Sequence, residues 1–97
     1  QEIVLDMAVN HGPKTAITLL QRVINQNNRL IAADGIIGPI TKAATTGVIE
    51  EFGIKKLIND LIDYRIRFYE RIVKKDDTQR VFLAGWVKRA ESFRVTT

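Results

Sequence analysis

Apolar residues recur every three or four positions along most of this chain, and no stretch shows the strict alternation of a half-buried strand. A spacing of three and four places side chains on one face of an α-helix. The clearest case runs from about Ile54 to Lys74, where Leu57, Leu61 and Phe68 share a face. The sequence therefore predicts an all-α fold.

Glycine and proline divide this pattern into about five helices. Gly12 and Gly47 are suited to helix ends, because glycine accepts a left-handed backbone conformation without a steric penalty. Pro13 and Pro39 are suited to first turns, where the missing amide hydrogen costs no helical bond. The predicted helices run from about Glu2 to His11, Pro13 to Asn27, Pro39 to Thr46, Ile54 to Lys74, and Asp77 or Thr78 to Phe93.

The composition fits one small domain with a single core. The 97 residues are 45% hydrophobic, and they include neither an internal repeat nor a low-complexity segment. The net charge of +4 suits a polyanion such as DNA, an anionic lipid surface, teichoic acid or a carboxylated stem peptide, without choosing among them. The chain has no cysteine, no signal-peptide pattern and no apolar run long enough to predict a membrane span.

Four sequence blocks resemble one family of cell-wall proteins. They are LLQRVINQNNRLIAADGIIGPITKAA at Leu19 to Ala44, MAVNHG at Met7 to Gly12, YRIRFYERI at Tyr64 to Ile72, and FLAGWVKR at Phe82 to Arg89. In this order they resemble the predicted peptidoglycan domain that forms the C-terminal half of glycoside hydrolase family 108 proteins. These are bacterial and phage muramidases, also called secretion activator proteins.

The resemblance implies a peptidoglycan-binding lobe without the catalytic acid. In the family, a glutamate in a Glu-Gly-Gly motif near the N-terminus cleaves the β-1,4 bond between N-acetylmuramic acid and N-acetylglucosamine. That motif is absent here, and the chain begins at Gln1 inside a helical pattern. We expect residues 1–97 to be one domain of a longer protein, with the N-terminal catalytic half and peptidoglycan as partners. The expected location is the cell wall or periplasm, reached by export or phage-mediated release.

Arg65 is the residue that is hardest to explain as a surface residue. On a helical wheel it lies in the middle of the apolar face, between Leu61 and Phe68, where an unpaired guanidinium is costly. Asp34, Asp6 or a backbone carbonyl could pair with it in the core. Alternatively, Arg65 lies at the edge of a cleft and binds a sugar or peptide carboxylate with two hydrogen bonds.

Polar residues interrupt the otherwise apolar first helix. Asp6 and Asn10 are four positions apart and so project from one side of it. They form either a seam against the missing half of the protein or part of a glycan groove. The resemblance implies that Asn10 or His11 contacts glycan, since the block belongs to the lobe that faces the catalytic half. The neighbours of His11 favour a packed or capping role over catalysis.

The turn residues and aromatic residues can each be interpreted as structural or as functional. Asp34 and Gly35 predict a tight turn, and Gly38 and Pro39 predict the start of the following helix, so all four are expected to be structural. Aromatic rings can stack on sugars, but Tyr69 and Trp86 lie within apolar stripes, which favours core packing. Tyr64 lies at the margin of its stripe and remains a candidate for ligand binding.

No catalytic constellation is predicted within the chain. Glu50 and Glu51 are adjacent and point in different directions, which is poor geometry for two carboxylates that flank one glycosidic bond. We predict no metal site and no cofactor. The alternatives are a DNA-binding or phage-assembly domain, which the interleaved acids of the C-terminal half make less suitable, and a module that binds only the parent's other half.

Overall fold

The fold is organised around one long helix. The computed structural model describes residues 3, 6, 7, 11–27 and 29–95. The helices are α1 (Pro13–Gln26), α2 (Pro39–Phe52), α3 (Ile54–Lys75) and α4 (Arg80–Glu91), with a 3₁₀ turn at Asp77–Gln79 before α4. Helices α1, α2 and α4 all pack against α3. Within the described ranges no helix is long and apolar enough to cross a membrane.

The prediction of a compact all-α domain is confirmed, with four α-helices among the described residues where about five were predicted for the chain. The first predicted helix, about Glu2 to His11, falls mostly on residues outside those described. Four positions within it, Ile3, Asp6, Met7 and His11, have helical backbone. Ile3 and Met7 are buried in the core, so this segment contributes to the same hydrophobic cluster as the four helices.

Helix α2 is longer than predicted because Gly47 does not end it. The helix continues to Phe52, and Val48 is completely buried immediately after the glycine. A Cβ atom at position 47 would lie 3.1 Å from Nε of Arg29, so the glycine gives the Arg29 side chain room to pass. The helix ends instead at Gly53, whose φ of 91° is a conformation that other residues rarely adopt.

The start and end of the last helix also differ from the prediction. Neither Asp77 nor Thr78 begins the α-helix: Asp76 caps the 3₁₀ turn, its Oδ1 accepting a hydrogen bond from the Thr78 amide at 3.1 Å, and α4 begins at Arg80 without a side-chain cap. The regular helix ends at Glu91 rather than near Phe93. The apolar spacing of this helix predicts that Phe82, Leu83, Trp86, Ala90 and Phe93 are buried, yet Phe82 is 51% exposed and Ala90 alone of these is fully buried, so α4 packs along a narrow strip.

The apolar spacing of α1 predicts one buried stripe formed by Ala16, Leu19, Leu20, Val23 and Ile24, and this prediction is confirmed. The residues of this stripe meet buried residues from α3 and from the N-terminal segment. The buried apolar residues of α1 and α3 are Ala16, Leu19, Leu20, Val23, Ile24, Leu57, Leu61, Ile62, Tyr69 and Val73.

The side-chain amides of Gln21 and Asn25 on α1 bind the connection between α1 and α2. Gln21 is fully buried, and its Oε1 accepts a hydrogen bond from the Gly35 amide at 2.9 Å. Its Nε2 lies 3.0 Å from Oδ1 of Asp34 and 3.0 Å from the Thr41 hydroxyl. One turn later, Asn25 pairs with both backbone groups of Ile31. The loop is therefore fixed to α1 by side chains.

Candidate functional site

A buried ion pair joins the N-terminal segment to α3. Nη2 of Arg65 lies 2.7 Å from Oδ2 of Asp6, and the two side chains are 0% and 8% exposed. Of the partners considered for Arg65 in the sequence, the structure shows Asp6. Arg65 projects from the apolar face of α3, as its position predicted, and Asp6 reaches it from the neighbouring helical segment.

Two further side chains extend this pair toward the surface. Nε of Arg65 donates a hydrogen bond to the Tyr69 hydroxyl at 2.7 Å, one turn along α3. Nε of Arg89, on α4, donates to Oδ1 of Asp6 at 3.0 Å. Asp6 thus bridges a buried arginine and a largely exposed one, and the cluster connects the N-terminal segment, α3 and α4.

The electrostatics of the cluster keep Asp6 ionised. Burial alone would raise the pKa of Asp6, but the contacts with Arg89 and Arg65 outweigh burial and hold that pKa below its ordinary value. A general acid at neutral pH needs a carboxyl pKa raised toward 7. Asp6 is therefore suited to holding structure and not to donating a proton.

A small aromatic cavity adjoins the cluster. Its volume is about 170 Å³. Tyr69 and Trp86 stack with ring centres 5.2 Å apart and planes at 30°, and Phe82 continues the stack from Trp86 at 5.8 Å. We call this space the aromatic cavity; it is lined by His11, Tyr69, Ile72, Trp86 and Arg89.

His11 forms one wall of the aromatic cavity. Its ring packs edge-on against Phe68 at 5.2 Å and lies 5.2 Å from the ring of Tyr69. Burial, followed by the charge of Arg65, lowers the pKa of His11 below 6.5, so the imidazole is neutral at pH 7. Its Nε2 is buried and forms no hydrogen bond with the residues that the structure describes.

The structure brings together only some of the predicted site residues. Asp6, His11 and Arg65 lie in the cluster or beside it, whereas Asn10 lies outside the described residues. Tyr64 is not among the residues that line the aromatic cavity; its ring lies beneath the Arg71 guanidinium, 5.8 Å from the ring centre.

The predicted structural motif is located elsewhere, on the connection from α1 to α2. Oδ1 of Asp34 accepts a hydrogen bond from the Ile36 amide at 3.0 Å, and this bond, with that from Gln21, lowers the pKa of Asp34. Gly35 has a φ of 76°, and Gly38 and Pro39 begin α2. Trp86, predicted to be structural, is only partly buried and contributes a wall of the aromatic cavity.

A larger groove on another side of the domain offers different chemistry. Its volume is about 300 Å³, and its lining is mainly aliphatic: Leu20, Ile37, Lys42, Thr45, Thr46, Leu57, Ile58 and Leu61. The hydroxyls of Thr45 and Thr46 already donate to backbone carbonyls within α2. The groove has no aromatic ring on which a sugar could stack, so we place the candidate site at the aromatic cavity.

Arg89, Tyr69 and Gln21 were missed as site or anchor residues by sequence reasoning. Arg89 is one of many basic residues in the C-terminal half, for which the sequence predicts a solvated face, and its pairing with Asp6 crosses 83 positions of sequence. Tyr69 was assigned to the core, where it is buried. Its hydroxyl also accepts the hydrogen bond from Arg65, and the residue lines the aromatic cavity. A usable signal existed only for Gln21, since a long amide beside a core stripe needs partners.

Comparison with known proteins identifies the family. The sequence profile of the predicted peptidoglycan domain matches residues 15–91, which is well over half of the chain. No curated protein and no solved structure matches the chain. The matched region includes three of the four sequence blocks, most of α1, all of α2, α3 and α4, and Arg65, Tyr69, Trp86 and Arg89. The chain therefore belongs to the predicted peptidoglycan domain family.

Proposed function

We propose that this domain binds peptidoglycan through the aromatic cavity, with one sugar ring of the glycan strand against Trp86. Membership of the peptidoglycan domain family supports the ligand class. The observation that carries the location is the juxtaposition, in one cavity, of stacked aromatic rings with the guanidinium of Arg89.

The chemistry of the cavity suits a sugar. The axial C–H groups of a pyranose pack well on aromatic rings, and Tyr69, Trp86 and Phe82 form one continuous aromatic cluster whose uncovered parts are available for such packing. Phe82 is half exposed, so this aromatic cluster continues from the cavity to the outside of the domain. The exposed Arg89 guanidinium at the rim of the cavity can donate a hydrogen bond to a hydroxyl or acetamido group.

The size of the cavity limits what enters it. Sites for drug-sized ligands begin at about 300 Å³, whereas the aromatic cavity has about 170 Å³. One sugar ring or one acetamido substituent fits this space better than an oligosaccharide. The rest of a glycan strand would run along the surface past Phe82.

We further propose that the domain is the C-terminal part of a family 108 muramidase, exported or released to the cell wall. The four sequence blocks support this parent, with the catalytic glutamate located outside residues 1–97. Within the described residues, Glu51 pairs with Arg29, and Asp6 is held by two arginines, so neither is suited to acid catalysis. A Glu-Gly-Gly motif encoded upstream of Gln1 is the expected finding, and its absence would contradict this parent.

One observation favours protein docking as a second candidate function. Leu30, Ile36, Ile37 and Ile40 are large apolar side chains that are at least half exposed, and all lie on the α1–α2 connection or at the start of α2. Exposed apolar patches often mark contacts with other proteins or domains. The catalytic half of the parent is the partner that we propose for this surface.

Nucleic acid suits the described surface less well. Arg80, Arg89 and Arg94 in the C-terminal half each pair with aspartate or glutamate side chains. Arg67, Arg71 and Lys74 on α3 form no ion pair among the described residues, but they make only a short stripe interrupted by Glu70, whereas binding of the phosphate backbone uses many such cations. We therefore rank nucleic acid below peptidoglycan.

The test compares an aromatic substitution inside the aromatic cavity with one outside it. Trp86→Leu removes the aromatic wall but keeps apolar volume, and Tyr64→Leu does the same outside the cavity. Co-sedimentation with purified, insoluble peptidoglycan measures binding, and circular dichroism verifies that both variants fold. We expect Trp86→Leu to reduce the bound fraction at least tenfold, a loss of about 1.4 kcal/mol, while Tyr64→Leu binds like the unsubstituted protein. The opposite order would place the site elsewhere.

A further inference from the structure

The charges around the aromatic cavity do not balance among the described residues. Arg65 and Arg89 carry two positive charges, and Asp6 carries one negative charge. His11 adds none at pH 7, because burial lowers its pKa, and Tyr69 adds none, because burial raises its pKa. Among the described residues, one positive charge therefore remains uncompensated at the rim of the cavity, where the exposed Arg89 lies.

Hydrogen-bond donors are also left unused in the same cluster. Nη1 of Arg65 is fully buried and forms no hydrogen bond with any described residue. Arg89 directs Nε and Nη2 at a single oxygen of Asp6, so its Nη1 is not used in that contact. The Arg89 side chain lines the cavity and is 60% exposed, so a ligand can reach it.

These observations point to an anionic ligand. A single carboxylate would neutralise the single excess charge, and guanidinium groups bind carboxylates with short, charge-assisted hydrogen bonds. Resting on the proposed function, we infer that the cavity selects a carboxylate-bearing part of peptidoglycan, which Arg89 binds while Trp86 packs against the adjoining sugar. The carboxylate could come from the lactyl group of muramic acid or from the stem peptide.

The inference is tested with ligands that differ in charge at one position. N-acetylmuramic acid and its methyl ester share the sugar, and only the acid is ionised. Muramyl dipeptide has its lactyl group in an amide bond and carries its carboxylate on the peptide. Titration of each ligand into the isotopically labelled domain, followed by amide chemical shifts at pH 7, gives the dissociation constants and the residues affected.

We expect the acid to bind about tenfold more tightly than its ester, as one charge-assisted hydrogen bond predicts. In Arg89→Gln this ratio should fall to near one, whereas in Arg71→Gln, on the exposed side of α3, it should stay near tenfold. Muramyl dipeptide that binds less well than the acid identifies the lactyl group as the source. Dipeptide that binds as well or better identifies the stem peptide.

Three results would overturn the inference. Equal affinities for acid and ester in the unsubstituted domain, with shifts at Trp86, would remove the carboxylate preference and leave the proposed sugar site intact. A ratio that persists in Arg89→Gln would show that another group recognises the charge. If no ligand shifts the cavity residues, the inference fails, and the proposed site fails as well when Trp86→Leu also leaves peptidoglycan binding unchanged.

Discussion

Substitution of either member of the Asp6–Arg65 pair should destabilise the domain, and the two costs should differ. The pair is buried, with 2.7 Å between Nη2 of Arg65 and Oδ2 of Asp6. Loss of one partner of a buried pair costs about 3–5 kcal/mol, because the other charge remains in a poorly solvated place. Where each loss falls within this range depends on which contacts the remaining residue of the pair keeps.

Arg65→Ala should fall at the lower end of that range. Asp6 keeps the contact of its Oδ1 with Arg89, so its carboxylate is still compensated. We therefore expect a loss of about 3 kcal/mol, which also includes the broken hydrogen bond to Tyr69. Asp6→Ala leaves Arg65 with no carboxylate among the described residues, and we expect a loss of about 4 kcal/mol.

Urea unfolding followed by circular dichroism at the helix band measures both losses. With a slope of about 1.5 kcal/mol per molar urea, Arg65→Ala should lower the midpoint by about 2 M. Arg71→Ala is the matched control, since Arg71 lies on the exposed side of the same helix, and its change should stay below about 0.5 kcal/mol. The double substitution of Asp6 and Arg65 should cost about 2 kcal/mol less than the sum of the single ones.

Two outcomes would refute this reasoning. A loss below about 0.5 kcal/mol for Arg65→Ala would mean that the side chain is solvated and not buried in an ion pair. A larger loss for Arg65→Ala than for Asp6→Ala would mean that Arg89 does not compensate Asp6 as the geometry indicates.

Gln21→Leu should lower the free energy of unfolding by about 2 kcal/mol, because it leaves the Gly35 amide without its hydrogen-bond partner. The control is Gln26→Leu on the exposed side of the same helix, which should change that free energy little. Urea unfolding measures both. Hydrogen exchange at Gly35 should accelerate in Gln21→Leu, and unchanged exchange would contradict its anchoring role. The unfolding free energy should also fall as the pH drops below 6.5: the pKa of His11 is lowered in the folded state, so the unfolded chain binds the proton first. His11→Gln should flatten this dependence between about pH 7 and pH 5, and thermal unfolding that keeps the same slope would contradict it.

The family assignment and the aromatic cavity answer different questions about the domain. The match over residues 15–91 establishes what kind of domain this is. It does not state where a ligand binds, and the motif with Asp34 and Gly35, which carries much of the resemblance, shapes the connection between two helices. The proposed site lies on another part of the molecule, at the junction of α3, α4 and the N-terminal segment.

Helix positions could be predicted from sequence wherever a local cause determines them. Pro13 begins α1 after Gly12, and α3 extends to within one residue of the predicted end, because periodicity and proline act within a few residues. The prediction was wrong at Gly47, where the reason for the glycine is the distant Arg29 side chain. A helix-breaking residue can be placed inside a helix by a tertiary contact that no local pattern reveals.

The sequence by itself determined the all-α class, most helix positions and the need of Arg65 for a partner, since apolar spacing and the cost of an unpaired buried charge are properties of the chain. Only the tertiary structure decided that Asp6 is that partner, that Arg89 joins it, and that Trp86 lines a cavity while Tyr64 does not. These contacts join helices far apart in sequence, and the angle at which two helices cross determines which exposed edge of each faces the other. For that reason, residues that are equally plausible binding-site candidates in the sequence have different surroundings in the fold.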